Sequence, residues 1–183
     1  VVLHACCHNP TGADLSEAQW LEVVEVIRAR GLVAFIDMAY QGFADGIEPD
    51  ALALRLFAAS GLQFFVSSSF SKSFSLYGER VGALSIVTAS RDESARVMSQ
   101  VKRVVRTNYS NPPTHGGAVV AAVLASPELR KLWEEELAGM RERIRAMRTG
   151  LVDKLKARGV AQDFAFVRSE ERRVGKECCV SCR

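Results

Sequence analysis

The sequence Leu32-Val33-Ala34-Phe35-Ile36-Asp37 consists of five apolar residues followed by an acid. So short an apolar run is typical of a buried strand in a parallel sheet, and it predicts that Asp37 lies at the carboxyl end of that strand. Similar runs at 1–7, 64–68 and 81–87 predict three further strands. Because helical patterns separate the first three strands, the sequence predicts an α/β fold with a mostly parallel sheet covered on both faces.

The helices are indicated by their end signals and by apolar spacing. Ser16 and Gln19 fit a capping box, and Gly31 fits the end of the first helix. A second helix is predicted over 50–60, and the chain from Arg91 onward reads as mostly helical. A long helix from Pro127 to about Gly159 is predicted to pack on a core along apolar positions spaced by three and four, namely Leu129, Leu132, Trp133, Leu137, Met140, Ile144, Met147, Leu151 and Leu155.

Composition and charge narrow the class of protein. The chain has 183 residues, of which 48% are hydrophobic, and its net charge is only +3. Such a charge gives no reason to expect a nucleic-acid or membrane-surface partner. No apolar run approaches the roughly 18–20 residues of a spanning helix. Five cysteines in two clusters make a poor disulfide framework, which favours a reducing, cytoplasmic compartment.

The two ends of the chain suggest a fragment. Val1 opens an apolar run without an initiator Met or a signal-peptide pattern. At the other end, residues 168–183 change to dense charge and then to the cluster Cys178-Cys179-Val180-Ser181-Cys182. We interpret this tail as artefactual or disordered. The alternative is half of a zinc site, for which no second half with suitable spacing is nearby.

Three loops carry most of the reactive side chains. Ligands of open α/β sheets bind beyond the carboxyl ends of the strands, which points to 8–12, 37–40 and 67–72. Lys72, directly after a strand, can form a Schiff base if its surroundings lower its pKa. Each signal alone has an ordinary alternative: Lys72 can be solvated, Asp37 can cap a turn, and Arg80 can pair with a nearby acid.

A metal site near the amino end is a weaker hypothesis. His4, Cys6 and His8 alternate along the first predicted strand, which would place them on one face. Burial and ordinary hydrogen bonding explain them as well, because no carboxylate or further ligand stands at suitable spacing. The predicted site therefore contains no metal. Pro10 is interpreted as fixing a turn, with a cis peptide bond as one way to do so.

Four collinear motifs together resemble the class I aminotransferases, and among them the aspartate and aromatic amino-acid aminotransferases. The motifs are His8-Asn9-Pro10-Thr11-Gly12, Asp37-Met38-Ala39-Tyr40-Gln41-Gly42-Phe43, the run from Ser69 to Gly82 that contains Ser71-Lys72-Ser73 and Gly78-Glu79-Arg80, and Tyr109-Ser110-Asn111-Pro112-Pro113. The resemblance covers about residues 1–166. It implies the type I fold of enzymes that depend on pyridoxal 5'-phosphate (PLP).

The resemblance also implies domain limits. Residues 1–126 would be part of the large PLP-binding domain, and 127–167 a long linking helix with the start of a small domain. The large domain would lack its first half, and the small domain would lack the arginine that binds the substrate α-carboxylate. We therefore expect the isolated chain to have little or no turnover.

Carried over by position, the resemblance gives seven residues a role. Lys72 would bind PLP covalently and transfer the substrate α-proton, and Asp37 would pair with the ring nitrogen. Asn9 and Tyr40 would hydrogen bond the ring hydroxyl oxygen. Ser69 and Arg80 would bind the phosphate. Arg106 would recognise a side-chain carboxylate across a homodimer interface.

The implied reaction moves an amino group between an aromatic or dicarboxylic amino acid and a 2-oxo acid. Ser75 and Gly78 resemble the bacterial aromatic enzymes, whereas Asn111 is shared with the aspartate enzymes, so broad specificity is expected. Fold alone does not determine the reaction. Two alternatives stay open: another PLP enzyme of the same fold, such as a lyase, and a truncated product without catalysis.

Overall fold

The structure is a computed structural model that describes residues 1–167. Its strands are β1 (Val2–His4), β2 (Ala34–Met38), β3 (Phe64–Ser69) and β4 (Gly82–Val87). Its helices are α1 (Glu17–Arg30), α2 (Leu52–Ala59), α3 (Arg91–Asn108), α4 (His115–Ala125) and α5 (Pro127–Ala157). Short 3₁₀ turns cover Pro49–Ala51 and Ala165–Val167.

The four strands form one sheet in the order β1-β2-β3-β4. The first three are parallel, and β4 pairs antiparallel with β3. The predicted mostly parallel α/β sheet is confirmed. The second strand begins later than predicted, at Ala34, and ends at Met38, so Asp37 lies at its carboxyl end as predicted. Leu32 and Val33 are exposed and outside the strand, because Gly31 ends α1 and the chain must first turn back to the sheet.

One face of the sheet carries the hydrophobic core and is called the core face below. Ala34, Ile36 and Met38 point to it from β2, and all three are buried. Helices α1 and α2 cover this face. The ring of Phe57 from α2 lies 5.4 Å from Phe64 and meets Trp20 of α1 edge-on at 6.3 Å. The alternation of buried and half-buried residues along β2 follows from the period of two in a strand.

The predicted ends of α1 are confirmed. The Ser16 side chain accepts a hydrogen bond from the Gln19 N–H, and the Gln19 side chain accepts one from the Ser16 N–H. Gly31 ends the helix in the left-handed region with φ of +60°. These caps satisfy backbone groups that a helix leaves unpaired at its ends.

The opposite face, called the site face below, carries Phe35, Asp37, Phe65 and Ser67, all of them half-buried. Helix α3 lies beside part of this face. A groove of about 830 Å³ separates its apolar residues from Phe65, Leu84 and Ile86. Because α3 does not close against the strands, none of its residues is buried.

Helix α5 extends over 31 residues, and the expectation that nearly all its apolar positions are packed is wrong. Leu137 is buried and Trp133 is half-buried. Six of the nine predicted positions are exposed, namely Leu129, Leu132, Met140, Ile144, Met147 and Leu151. The physical reason is length: α5 touches α4, the loop after β2 and the segment after β3, and these contacts cover only part of its apolar stripe.

The tail at 168–183, with its cysteine cluster, lies outside the described residues. Among the helices of residues 1–167, none has the length and hydropathy that a membrane-spanning segment requires.

Candidate functional site

A cavity of about 400 Å³ opens at the carboxyl ends of β1, β2 and β3. This volume falls within the range of about 300–1,000 Å³ that is typical of small-molecule sites. Each of the three predicted loops contributes to its lining, among others with Asn9, Tyr40 and Lys72. The remaining lining residues are Cys7, His8, Pro10, Gly12, Phe43, Tyr77, Ile144 and Arg148.

Asn9 is placed by the loop that follows β1. The Asp14 carboxylate accepts hydrogen bonds from the backbone N–H of Cys7 at 2.6 Å and of His8 at 3.0 Å. The Asn9–Pro10 peptide bond is cis, as one interpretation of Pro10 had it. Gly12 donates its N–H to the His8 carbonyl at 2.7 Å and closes the turn. The loop is thus fixed by its own side chains and backbone, and Asn9 is held at the cavity.

Tyr40 is placed by the loop between β2 and α2, which is organised around Asp50. The Asp50 side chain is buried, with 5% exposure. Its carboxylate accepts four backbone N–H groups, from Gly42, Ala44, Asp45 and Gly46, at 2.7–3.2 Å. A buried carboxylate with several donors is well satisfied and rigid. Asp50 therefore fixes the backbone that follows Tyr40.

Helix α5 holds the same loop from the other side. Arg141 donates to the Gly42 carbonyl at 2.9 Å, and Arg145 donates to the Ala44 carbonyl at 2.5 Å. Gly42 has φ of +94°, and a Cβ atom there would clash with Leu137 Cδ2. Only glycine lets the loop lie this close to α5 without displacing Leu137, so Gly42 permits close packing of the loop against the helix.

Lys72 follows β3 in a tight segment. Its Nζ lies 4.7 Å from the centroid of the Tyr40 ring, in a cation–π geometry. The Tyr40 hydroxyl accepts a long hydrogen bond, 3.5 Å, from Asn9 Nδ2. The Trp133 indole N–H donates to the Ser73 carbonyl at 2.6 Å and so ties the segment to α5. The structure thus brings together Asn9, Tyr40 and Lys72, which are far apart in sequence.

Asp37 does not line this cavity. It lies on the site face of β2, where Ser67 Oγ donates a 2.8 Å hydrogen bond to Asp37 Oδ1. Sequence reasoning gave Asp37 a role and placed Ser67 in the segment 67–72, but it did not connect the two residues. Their pairing depends on the register of two parallel strands, which cannot be read from the sequence of either strand alone.

The two residues predicted to bind phosphate are also outside the cavity lining. Ser69 Oγ accepts from the Ser71 N–H at 3.3 Å. The exposed Arg80 donates from one guanidinium nitrogen to the Tyr77 carbonyl at 2.9 Å, and its backbone has φ of +52°. A non-glycine residue in this region is uncommon and marks a constrained segment.

Arg106 stands apart from these groups, in the last turn of α3. Its guanidinium donates to the Ser110 hydroxyl. Arg106 is exposed and does not line the cavity. The structure of the described chain therefore does not bring Arg106 to Lys72.

The histidines and cysteines near the amino end have ordinary partners. Since β1 ends at His4, the expected single strand face for His4, Cys6 and His8 does not exist. The His4 and His8 rings still contact, with centroids 4.7 Å apart, and His8 Nδ1 lies 2.6 Å from Thr11 Oγ1. In residues 1–167, no cluster of three or more His, Cys, Asp or Glu could hold a metal ion.

Two further residues that sequence reasoning missed concern the chemistry of the cavity. Arg148 lines it from α5 and adds a second basic side chain to that of Lys72. Its place in an amphipathic helix gives no signal of this. Cys7 is also at the cavity, and its hydrogen bond with Cys6, together with burial, raises the pKa of the Cys6 thiol. Cys6, which is buried and outside the cavity lining, is therefore protonated at neutral pH and does not act as a nucleophile.

Comparison with known proteins gives one consistent result. A sequence model of the family "Aminotransferase class I and II" matches residues 1–172. The chain is 71% identical over 167 residues to an aspartate aminotransferase of Pseudomonas aeruginosa, covering 91% of this chain and 42% of that protein. It is 51% identical over 167 residues to an aromatic-amino-acid aminotransferase of Escherichia coli, again covering 91% of this chain and 42% of that protein.

Solved structures agree. The fold superposes on an aromatic-amino-acid aminotransferase from Burkholderia pseudomallei, covalently bound to pyridoxal phosphate, with a TM-score of 0.91 and 73% identity. That match covers 92% of this chain and 42% of the other. The described sheet and helices are thus part of the type I fold of PLP-dependent transferases, as the resemblance implied. The chain spans about two fifths of the length of these relatives, and it belongs to the class I and II aminotransferase family.

Proposed function

We propose that this chain carries the cofactor-binding residues of an aminotransferase that uses PLP. The observation that supports this best is the meeting of Lys72, Tyr40 and Asn9 in one cavity of about 400 Å³. A primary amine can bind an aldehyde covalently, and a hydroxyl beside an amide can hold a ring oxygen. The relatives named aminotransferases and the PLP-bound structural neighbour support the same reaction class.

The residues present fit the ring end of PLP. Lys72 supplies the amine, and Asn9 and Tyr40, 3.5 Å apart, supply polar groups on one side of the cavity. The cations of Lys72 and Arg148 favour an anionic ligand there. At the phosphate end, Ser69 has an unused O–H donor, and Arg80 uses only one of its N–H groups within residues 1–167. Both groups are therefore available to a phosphate.

Each residue has a physical task in this proposal. When bound, PLP supplies an electron-accepting ring that lets an amino group pass between substrates. Lys72 Nζ binds the cofactor and later accepts and returns the substrate α-proton. Asp37 presents its carboxylate to the ring nitrogen. Asn9 and Tyr40 orient the ring, while Ser69 and Arg80 hold the phosphate by charge-assisted hydrogen bonds.

The substrates proposed are an aromatic or dicarboxylic amino acid and a 2-oxo acid. The names of the relatives support both substrate classes, since aspartate and aromatic enzymes match the chain closely. Arg106 is proposed to bind a side-chain carboxylate in the neighbouring subunit of a homodimer. Its exposed position, away from the cavity of its own chain, supports a role at another site. A cytoplasmic location is proposed as well, supported by the free thiols of Cys6 and Cys7.

The test is covalent capture of the cofactor. The purified chain is titrated with PLP, the absorbance is recorded, and the complex is reduced with borohydride, which makes a lysine link permanent. Peptide mass spectrometry then locates the label. We expect one dominant label at Lys72 and loss of the absorbance band in Lys72→Ala.

Lys102→Ala is the matched control, since this exposed lysine of α3 lies outside the cavity lining. It should leave the Lys72 label and the band unchanged. Labelling spread over many lysines, or a band that persists in Lys72→Ala, would contradict the proposed role. Transamination is assayed in parallel, and we expect little or no turnover, because the chain spans only about two fifths of the length of its relatives.

A further inference from the structure

The register of the sheet brings Asp37 and Ser67 side by side. The two residues are direct register partners on β2 and β3, 30 positions apart in sequence. Both project from the site face, and their side chains are joined by a hydrogen bond of 2.8 Å. Parallel strands keep register partners side by side, so the geometry is set by the backbone ladder and does not depend on a flexible loop.

Ser67 is the side chain that holds Asp37. His4 is the register partner of Asp37 on β1, but its Nδ1 accepts from the Asn9 N–H at 3.2 Å and its ring lies against His8. Within the part of the chain that the structure describes, Ser67 is the only hydrogen-bond donor to the Asp37 carboxylate. Removing its hydroxyl would therefore leave that carboxylate without a protein partner there.

A carboxylate with one donor has one oxygen committed and one available. Ser67 occupies Oδ1, and no donor reaches Oδ2 from residues 1–167. A hydroxyl bonded to a carboxylate forms a charge-assisted hydrogen bond, which is shorter and stronger than a neutral one. It fixes the plane of the carboxylate and stabilises its negative charge. A protonated ring nitrogen needs both properties from the acid that faces it.

We propose that Ser67 is a positioning residue that holds the Asp37 carboxylate as an oriented anion and leaves Oδ2 for the ring nitrogen of PLP. This rests on the proposed function, in which Asp37 is the partner of that nitrogen. Ser67 touches neither substrate nor cofactor in this proposal. It acts through Asp37, so its removal should change how the cofactor is held more than how the chain folds.

The experiment compares Ser67→Ala with Ser67→Thr, which keeps the hydroxyl and suits a strand. The matched control is Ser68→Ala. Ser68 is the next residue of β3 and pairs with Met38, so its side chain lies on the opposite face. The chains are titrated with PLP labelled with ¹⁵N in the ring, and both the dissociation constant and the ring ¹⁵N resonance are measured.

We expect Ser67→Ala to weaken PLP binding by about fivefold to tenfold, the size of a typical single hydrogen bond, because Ser67 acts on the cofactor only through Asp37. The ring ¹⁵N resonance should move toward that of the unprotonated ring. Ser67→Thr should restore both values, and Ser68→Ala should resemble the unsubstituted chain. A purely structural role would lower thermal stability without moving the ¹⁵N resonance. Unchanged affinity and resonance in Ser67→Ala would overturn the proposal.

A second measurement needs no cofactor. In chain labelled with ¹³C at aspartate carboxyl groups, the Asp37 resonance is assigned by its loss in Asp37→Asn. Ser67→Ala should shift that resonance, and Ser68→Ala should not. An unshifted resonance overturns the inference whatever the cofactor does. If the unsubstituted chain shows no PLP binding that depends on Lys72, the proposed function is contradicted, and with it the role of Ser67 toward PLP. The ¹³C shift still reports whether Ser67 contacts Asp37.

Discussion

The two faces of this sheet are built from the same strands and differ in what they do. The core face presents Ala34, Ile36 and Met38 to α1 and α2, and its side chains are almost fully buried. The site face presents Phe35, Asp37 and Ser67, all half-buried. Successive side chains of a strand point to opposite faces of the sheet, so neighbouring residues can belong to the core and to the site. Stability is thus concentrated on one face, whereas the other carries Asp37, which is proposed to meet the cofactor, and Ser67, which is proposed to position it.

The largest effect is expected where an aromatic side chain is removed from the core face. Phe57 is fully buried between Trp20 and Phe64. Phe57→Ala should lower the free energy of unfolding by about 3–5 kcal/mol, through lost burial and the cavity left behind. Urea unfolding followed by circular dichroism measures this. Phe65→Ala, on the half-buried site face, is the control and should cost less than half as much; equal losses would mean that the two faces contribute alike.

Two acids sharpen the comparison. Asp50 is buried and accepts four backbone N–H groups, whereas Asp37 is half-buried and accepts from one hydroxyl. Asp50→Asn replaces one acceptor oxygen by a donor amide, so backbone donors lose their partner, and the free energy of unfolding should fall by about 3 kcal/mol. Amide hydrogen exchange at Gly42 and Ala44 should accelerate in parallel.

Asp37→Asn is the matched substitution on the site face. It should cost about 1 kcal/mol or less in stability, since only one partially exposed hydrogen bond is involved. The affinity of the Asp37→Asn variant for PLP should nevertheless fall more than the affinity of the Asp50→Asn variant, measured under conditions in which both variants are folded. The reverse ranking in urea unfolding would show that the site-face acid, and not Asp50, is the structural one.

The effects expected at the helix caps are also small, and they compare a helix on the core face with a largely exposed one. Ser16 caps α1, which covers the core face with Trp20, Val24 and Ile27. Ser16→Ala should lower global stability by about 1 kcal/mol, because the N–H of Gln19 loses its acceptor. Ser126→Ala removes the corresponding cap of the largely exposed α5. It should fray that helix in hydrogen exchange with a smaller change in the urea midpoint; a larger change than in Ser16→Ala would place more of the stability in α5 than its burial indicates.

Local signals predicted most of the secondary structure. The Ser16 and Gln19 capping box, the Gly31 end and the apolar runs before Asp37 and Ser67 each act within a few residues, so they can be read without knowing the fold. The boundary of β2 was less predictable, because an apolar Leu32 and Val33 look like strand while the chain is still leaving α1. The packing of α5 was misjudged for a related reason. Spacing shows which positions are apolar, and only the amount of neighbouring surface determines which of them are buried.

The candidate site also combines residues that the sequence predicted with contacts that only the fold determines. Motifs along the chain were enough to select Asn9, Tyr40 and Lys72, and the parallel topology explains why they meet: carboxyl ends of neighbouring strands share one edge of the sheet. The pairing of Ser67 with Asp37, the four donors gathered by Asp50 and the approach of α5 to Gly42 were not predictable from the sequence. Each joins segments through register or close packing. Those distances exist only once the chain has folded, because they depend on how separate elements are placed and not on the order of residues within any one of them.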